Sequence, residues 1–133
     1  MTKVLIVDDH RENAAALAML IEASWKLPGD EMKVVVVHTM EDARKERDDS
    51  NVTILDLDLP DSSPEDTMAE IKNFPPPVIV LTGCADDALS AACMVAGAAH
   101  VFIKGSLMGF IPTFFKALQL DVLRRAGQRH EPQ

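Results

Sequence analysis

VTILDLDLP, residues 52–60, is a short run of β-branched and bulky apolar side chains that meets one carboxylate, Asp56, and then a second, Asp58. Four such residues in succession describe a strand covered on both faces, and the turn formers Pro60, Asp61 and Ser62 end it. Strands of that kind belong to parallel sheets held between two layers of helix. A carboxylate at the C-terminal end of such a strand sits on the rim of the sheet, where open α/β folds bind their ligands.

The same pattern recurs along the chain. VLIV (4–7) runs into Asp8 and Asp9, VVVV (34–37) follows, VIVL (78–81) ends in Thr82 and Gly83, and VFI (101–103) ends in Lys104. Helical spacing fills the intervals. Ala14, Leu17, Ala18 and Ile21 make one apolar face, Asp9 and Glu12 have the form of a capping box, and Pro28-Gly29 closes that segment. Thr39 caps a short charged helix extending to about Asp48, a solvated face by composition. Ser63, Pro64 and Asp66 carry the N-cap, N1 and N3 signals of a helix reaching about Asn73, and the FPPP run (74–77) reads as a rigid connector. An Ala-rich helix over 86–96 is closed by Gly97. A last helix carries Phe114, Leu118 and Val122 on one face, with Pro112 marking a late start or a kink. Five buried strands alternating with five helices, joined by right-handed crossovers, give an α/β doubly wound parallel sheet, for which the order 2-1-3-4-5 is common.

At 133 residues and 47% hydrophobic content the chain makes one domain with a proper core, and neither internal repeats nor a second domain are visible. The formal net charge of −8 excludes an unspecific nucleic-acid surface, which requires a basic field. Cys84 and Cys93 lack metal-ligand spacing and read as free thiols of a reducing compartment. The N-terminal MTKVLIVDD is too short an apolar run for a signal peptide, and no segment reaches the ~20 apolar residues of a membrane span. These features point to a cytoplasmic protein without direct nucleic-acid or membrane binding.

On this frame Asp8, Asp9 and Asp56 share one edge of the sheet, flanked by the Thr82 hydroxyl and the Lys104 ammonium. Three gathered carboxylates repel one another unless a cation sits among them. A hard divalent ion with oxygen ligands suits them, and Mg²⁺ commonly combines one or two carboxylates, waters and a phosphate oxygen. One carboxylate can then attack phosphorus to form an aspartyl phosphate, with metal, ammonium and hydroxyl meeting the charge on the equatorial oxygens. Singly, Asp9 serves as well for a cap, Thr82 for a turn and Lys104 for a solvated charge. Four strand ends with matched chemistry point to phosphoryl transfer.

LIVDD (5–9), ILDLDLPD (54–61), VIVLTG (78–83) and AGAAHVFIKGS (96–106), in this order, give a chain that resembles the receiver domains of bacterial two-component response regulators over about residues 1–126, leaving 127–133 as a polar tail or linker. The resemblance implies a flavodoxin-like fold and a signalling module that catalyses only its own phosphorylation and dephosphorylation. It implies Asp56 as the acceptor of a phosphoryl group from a sensor histidine kinase or phosphotransfer protein. It further implies Mg²⁺ on Asp8, Asp9, Asp56 and the backbone carbonyl of Asp58, and Thr82 and Lys104 on phosphoryl oxygens. Phosphorylation then alters the face of helix four, strand five and helix five, which addresses a downstream effector or a fused output domain and offers a route to a homodimer.

Two positions depart from that family. Val101 stands where an aromatic residue usually swings with the threonine, and Phe102 points to the other side of the strand. Gly105 replaces the usual proline after the lysine, so no cis peptide is expected there. Asp58 and Cys84 occupy the two positions where the family tunes the lifetime of the phosphoryl group. Two other readings share some of these residues. A haloacid-dehalogenase-type phosphohydrolase also uses Asp-x-Asp, as in Asp56-Leu57-Asp58, but places it on its first strand and adds a cap domain. A receiver-like docking domain would work without phosphorylation.

Overall fold

The computed structural model describes residues 2–24, 31–83 and 86–105, together with Pro112 and Lys116. Its strands β1 (Thr2–Val7), β2 (Met32–Val37), β3 (Val52–Asp56), β4 (Val78–Thr82) and β5 (His100–Ile103) form one parallel sheet in the order β2-β1-β3-β4-β5. Between them run α1 (Arg11–Ser24), α2 (Met40–Glu46), α3 (Pro64–Glu70) and α4 (Asp87–Ala96), with one 3₁₀ turn each after α2 (Arg47–Asp49) and α3 (Ile71–Asn73). The doubly wound sheet expected from the sequence is present, with four of the five helices in the described region. The segment of Phe114, Leu118 and Val122, the tail, Cys84 and the Pro28-Gly29 turn lie outside the described residues.

Alternation along each strand divides the core in two. Leu5, Val7, Leu55, Val78 and Val80 face one layer, where Met40, Ala43, Ile71 and Cys93 cover them. Val4, Ile6, Ile54 and Ile79 face the other, beneath Ala14, Leu17 and Ile21 of α1. Leu55 and Ile54, back to back on the central strand, are 0% and 1% exposed, so truncating either to Ala costs ~2–5 kcal/mol. The expectation of five buried strands needs correction at the margins. β2 and β5 are only partly buried, because each is an edge strand with a neighbour on one side.

Local signals set the helix ends. The Thr39 hydroxyl accepts from the Asp42 N–H (3.1 Å), the Ser63 hydroxyl from the Asp66 N–H (3.1 Å), and Pro64 opens α3. Gly97 closes α4 at φ +117°, where an L side chain is strained. The expected Asp9–Glu12 capping box is not used. α1 begins at Arg11 with the Asn13 N–H on His10 Nδ1 (3.2 Å), because the Asp9 carboxylate belongs instead to the acidic cluster at the sheet edge.

Candidate functional site

The parallel register brings the chemistry together. Val7 pairs with Leu55 and Asp56 with Leu81, so Asp8, Asp56 and Thr82 emerge side by side at the C-terminal ends of β1, β3 and β4. Thr82 pairs with Ile103, and its carbonyl accepts from the Lys104 N–H (2.8 Å), which ties the turn after β5 to β4. Carboxylate oxygens of Asp8, Asp9 and Asp56 lie within 4.8 Å of one another, a separation that one cation can bridge. Asp8 and Asp56 are buried and Asp9 is exposed, so the cluster is open on one side.

Lys104 Nζ donates to Asp56 Oδ2 (2.7 Å) and stands 3.8 Å from Asp8 Oδ1. The second oxygen of Asp56 accepts from the Asp58 N–H (3.0 Å). Burial is the strongest influence on the Asp56 carboxyl and pushes its pKa to about 6; the hydrogen bonds from Lys104 and Asp58 act against that rise, and the charge of Asp8 adds to it. Burial alone lowers the pKa of Lys104, but the hydrogen bond to Asp56 and the charges of Asp56, Asp8 and Asp9 outweigh it and hold the ammonium above its usual value. One ammonium therefore faces three carboxylates. An all-oxygen acidic set of this kind fits a hard divalent ion better than a soft transition metal.

All five residues proposed from the sequence gather at this edge, and Asp58 supplies its backbone N–H to Asp56. Supporting contacts were not legible from spacing. Asp8 Oδ1 accepts from the His10 N–H (2.9 Å), and His38 Nδ1 donates to the Asp8 carbonyl (2.8 Å). Asp61, read from the sequence as a turn former, reaches across to α2, where its two carboxylate oxygens accept from the N–H groups of Met40 (2.8 Å) and Glu41 (3.0 Å). No sequence signal marks a cap donated from another loop.

The departures at β5 also have a physical form. Val101 packs on the layer containing Cys93 and Leu89, while Phe102 packs on the opposite layer. Gly105 adopts φ +106°, which a proline ring fixed near −65° cannot reach. Among the described residues the cis peptide is Pro76–Pro77, in the connector before β4.

A family model described as the response regulator receiver domain matches residues 4–109. No curated protein matches the chain. Among solved structures, a signal receiver domain from Vibrio parahaemolyticus is 25% identical with TM-score 0.79, over 94% of this chain and 95% of that one. The signal receiver domain of a DNA binding response regulator from Colwellia psychrerythraea 34H is 23% identical with TM-score 0.75, over 89% and 98%. A response regulator from Burkholderia pseudomallei, crystallised with a phosphorylated aspartic acid, calcium ion and citrate, is 22% identical with TM-score 0.71, over 98% of this chain and 74% of that one.

Proposed function

The chain belongs to the response regulator receiver domain family, and from that premise we propose that it accepts a phosphoryl group on Asp56 from a sensor histidine kinase or phosphotransfer protein. The observation that carries this reading is a fully buried carboxylate held by one lysine, with two further carboxylates close enough to share a cation. In this reading Asp8, Asp9, Asp56 and the Asp58 carbonyl hold Mg²⁺, which supplies positive charge against the incoming phosphoryl group. The Burkholderia structure, with its phosphorylated aspartic acid and calcium ion, is a precedent for that chemistry.

The roles of the side chains follow. Asp56 offers a carboxylate oxygen to phosphorus; the O–P bond forms as the donor's bond to phosphorus breaks, and the donor keeps the electron pair. Lys104 keeps Asp56 aimed in the resting state and transfers its hydrogen bond to a phosphoryl oxygen afterwards. Thr82 donates its hydroxyl to another oxygen, and the backbone link from Lys104 to the Thr82 carbonyl carries that change to β5 without an aromatic swing at position 101. The receiver unit is taken as residues 1–126 with a polar tail over 127–133. A cytoplasmic location agrees with the described residues, none of whose helices is long and apolar enough to cross a membrane.

The test is intact mass after incubation with acetyl phosphate and Mg²⁺. One added phosphoryl group is expected, absent without the metal and absent in Asp56→Asn. No adduct, together with no binding of beryllofluoride, would overturn the reading in favour of a docking domain that works without phosphorylation.

A further inference from the structure

The loop after β3 leaves the acceptor and supplies the Asp58 backbone, so its placement sets the geometry of the site. Leu57 and Leu59 anchor its first half in the core, and beyond them Leu59 and Ser62 form one isolated antiparallel bridge while the Thr67 hydroxyl donates to the Ser62 hydroxyl (2.8 Å). The longest reach out of the loop comes from Asp61, at the tip of that turn. Its carboxylate takes the first two N–H groups of α2, Met40 and Glu41, while Thr39 takes the third at Asp42. The far end of α2 is fixed as well, because Arg44 and Arg47 both donate to Glu70 of α3, at 2.8 and 3.0 Å. α2 is thus a braced element, and Asp61 moors the acceptor loop to it.

We infer that Asp61 is a positioning residue for the phosphoryl site, acting through the loop to hold the Asp58 backbone against Asp56. This deepens the receiver reading above and rests on it for the metal arm of its test. Burial works to raise the Asp61 carboxyl, but the two N–H bonds outweigh it and hold the carboxyl below its usual range, so the mooring is ionised at neutral pH. A capping side chain on an ordinary helix comes from the residue preceding it. Here that work is already done by Thr39, which leaves the Asp61 contact as the link between α2 and the loop.

The experiment compares Asp61→Ala with Thr39→Ala, each of which removes a cap from the same helix, while only the first releases the loop. In the metal-free protein, amide hydrogen exchange at Leu57 and Asp58 is expected to rise in Asp61→Ala and to stay unchanged in Thr39→Ala, where only the first turn of α2 speeds up. A Mg²⁺ titration then reads the site. Asp61→Ala is expected to weaken Mg²⁺ by about tenfold, the low end of what supporting residues contribute, with no change in Thr39→Ala. Asp61→Asn, which keeps one acceptor, falls between, and the order persists at 1 M salt, where a loss of distant charge is screened. Unchanged exchange in the loop, or equal effects of the two alanine variants, would overturn the inference. If the wild type takes up no Mg²⁺ the receiver reading fails, and the exchange arm still decides the mooring.

Discussion

Two lysines hold pairs of carboxylates at opposite edges of the same sheet, in opposite electrostatic settings. Lys3, near the start of β1, is 9% exposed in its side chain and donates to the Glu46 carbonyl (2.7 Å), to Glu46 Oε2 (2.9 Å) and to Asp49 Oδ1. Its three donors are filled, and the carboxylates it holds are 42% and 77% exposed, so water carries most of their charge. Lys104 sits at the other edge with its exposure reversed: the lysine is 26% exposed, and the carboxylates it faces, Asp8 and Asp56, are 4% and 0%. The first arrangement is complete as it stands. The second buries more negative charge than one ammonium can answer, a deficit that a bound cation would relieve.

The contrast can be broken most severely at Lys104. Lys104→Met is expected to cost ~3–5 kcal/mol at pH 7 without metal, because it strands buried carboxylates. The loss should shrink on acidification, as Asp56 takes up a proton and its charge disappears; urea unfolding at pH 7 and pH 5 measures both. Lys3→Met should cost ~1–2 kcal/mol, since Glu46 and Asp49 can rehydrate once released. Its loss also shrinks on acidification, but in a lower pH window. The hydrogen bond from Lys3 pulls the Asp49 carboxyl below its usual range, against the effect of burial, so the contribution is present above the unfolded value of 3.8 and fades as pH falls below it. Mg²⁺ sharpens the difference further. At ten times its dissociation constant the ion should add ~1.4 kcal/mol to the wild type and to Lys3→Met, and nothing to Asp56→Asn, as thermal melts with and without the ion will show.

The sequence made the fold legible where one signal implied one structure. Continuous apolar runs gave the buried strands, Thr39 and Ser63 gave two helix starts, and carboxylates at strand ends gave the site. It misled at Asp9, whose capping pattern was overridden by its place in the acidic cluster, and at VVVV (34–37), which is equally apolar on an edge strand. It was silent on contacts between segments distant in sequence: Lys3 with Glu46 and Asp49, His38 with the Asp8 carbonyl, and Asp61 with α2. Local pattern reports the periodicity of an element, whereas these contacts depend on where the completed fold places a loop.

The most direct test of the charge deficit is the unfolding free energy of the metal-free wild type and Asp56→Asn measured from pH 4 to pH 7. The folded pKa of about 6 lies above the unfolded 3.8, so the folded wild type binds the extra proton between those values and loses stability as pH rises through them. Asp56→Asn lacks that proton, and contributions from carboxylates outside the cluster cancel in the difference. The variant should become more stable than the wild type by up to ~3 kcal/mol at pH 7, with little difference at pH 4 and a gap that narrows on adding Mg²⁺. A gap that does not change with pH would contradict the account, because Asp56 would then be an ordinary solvated carboxylate.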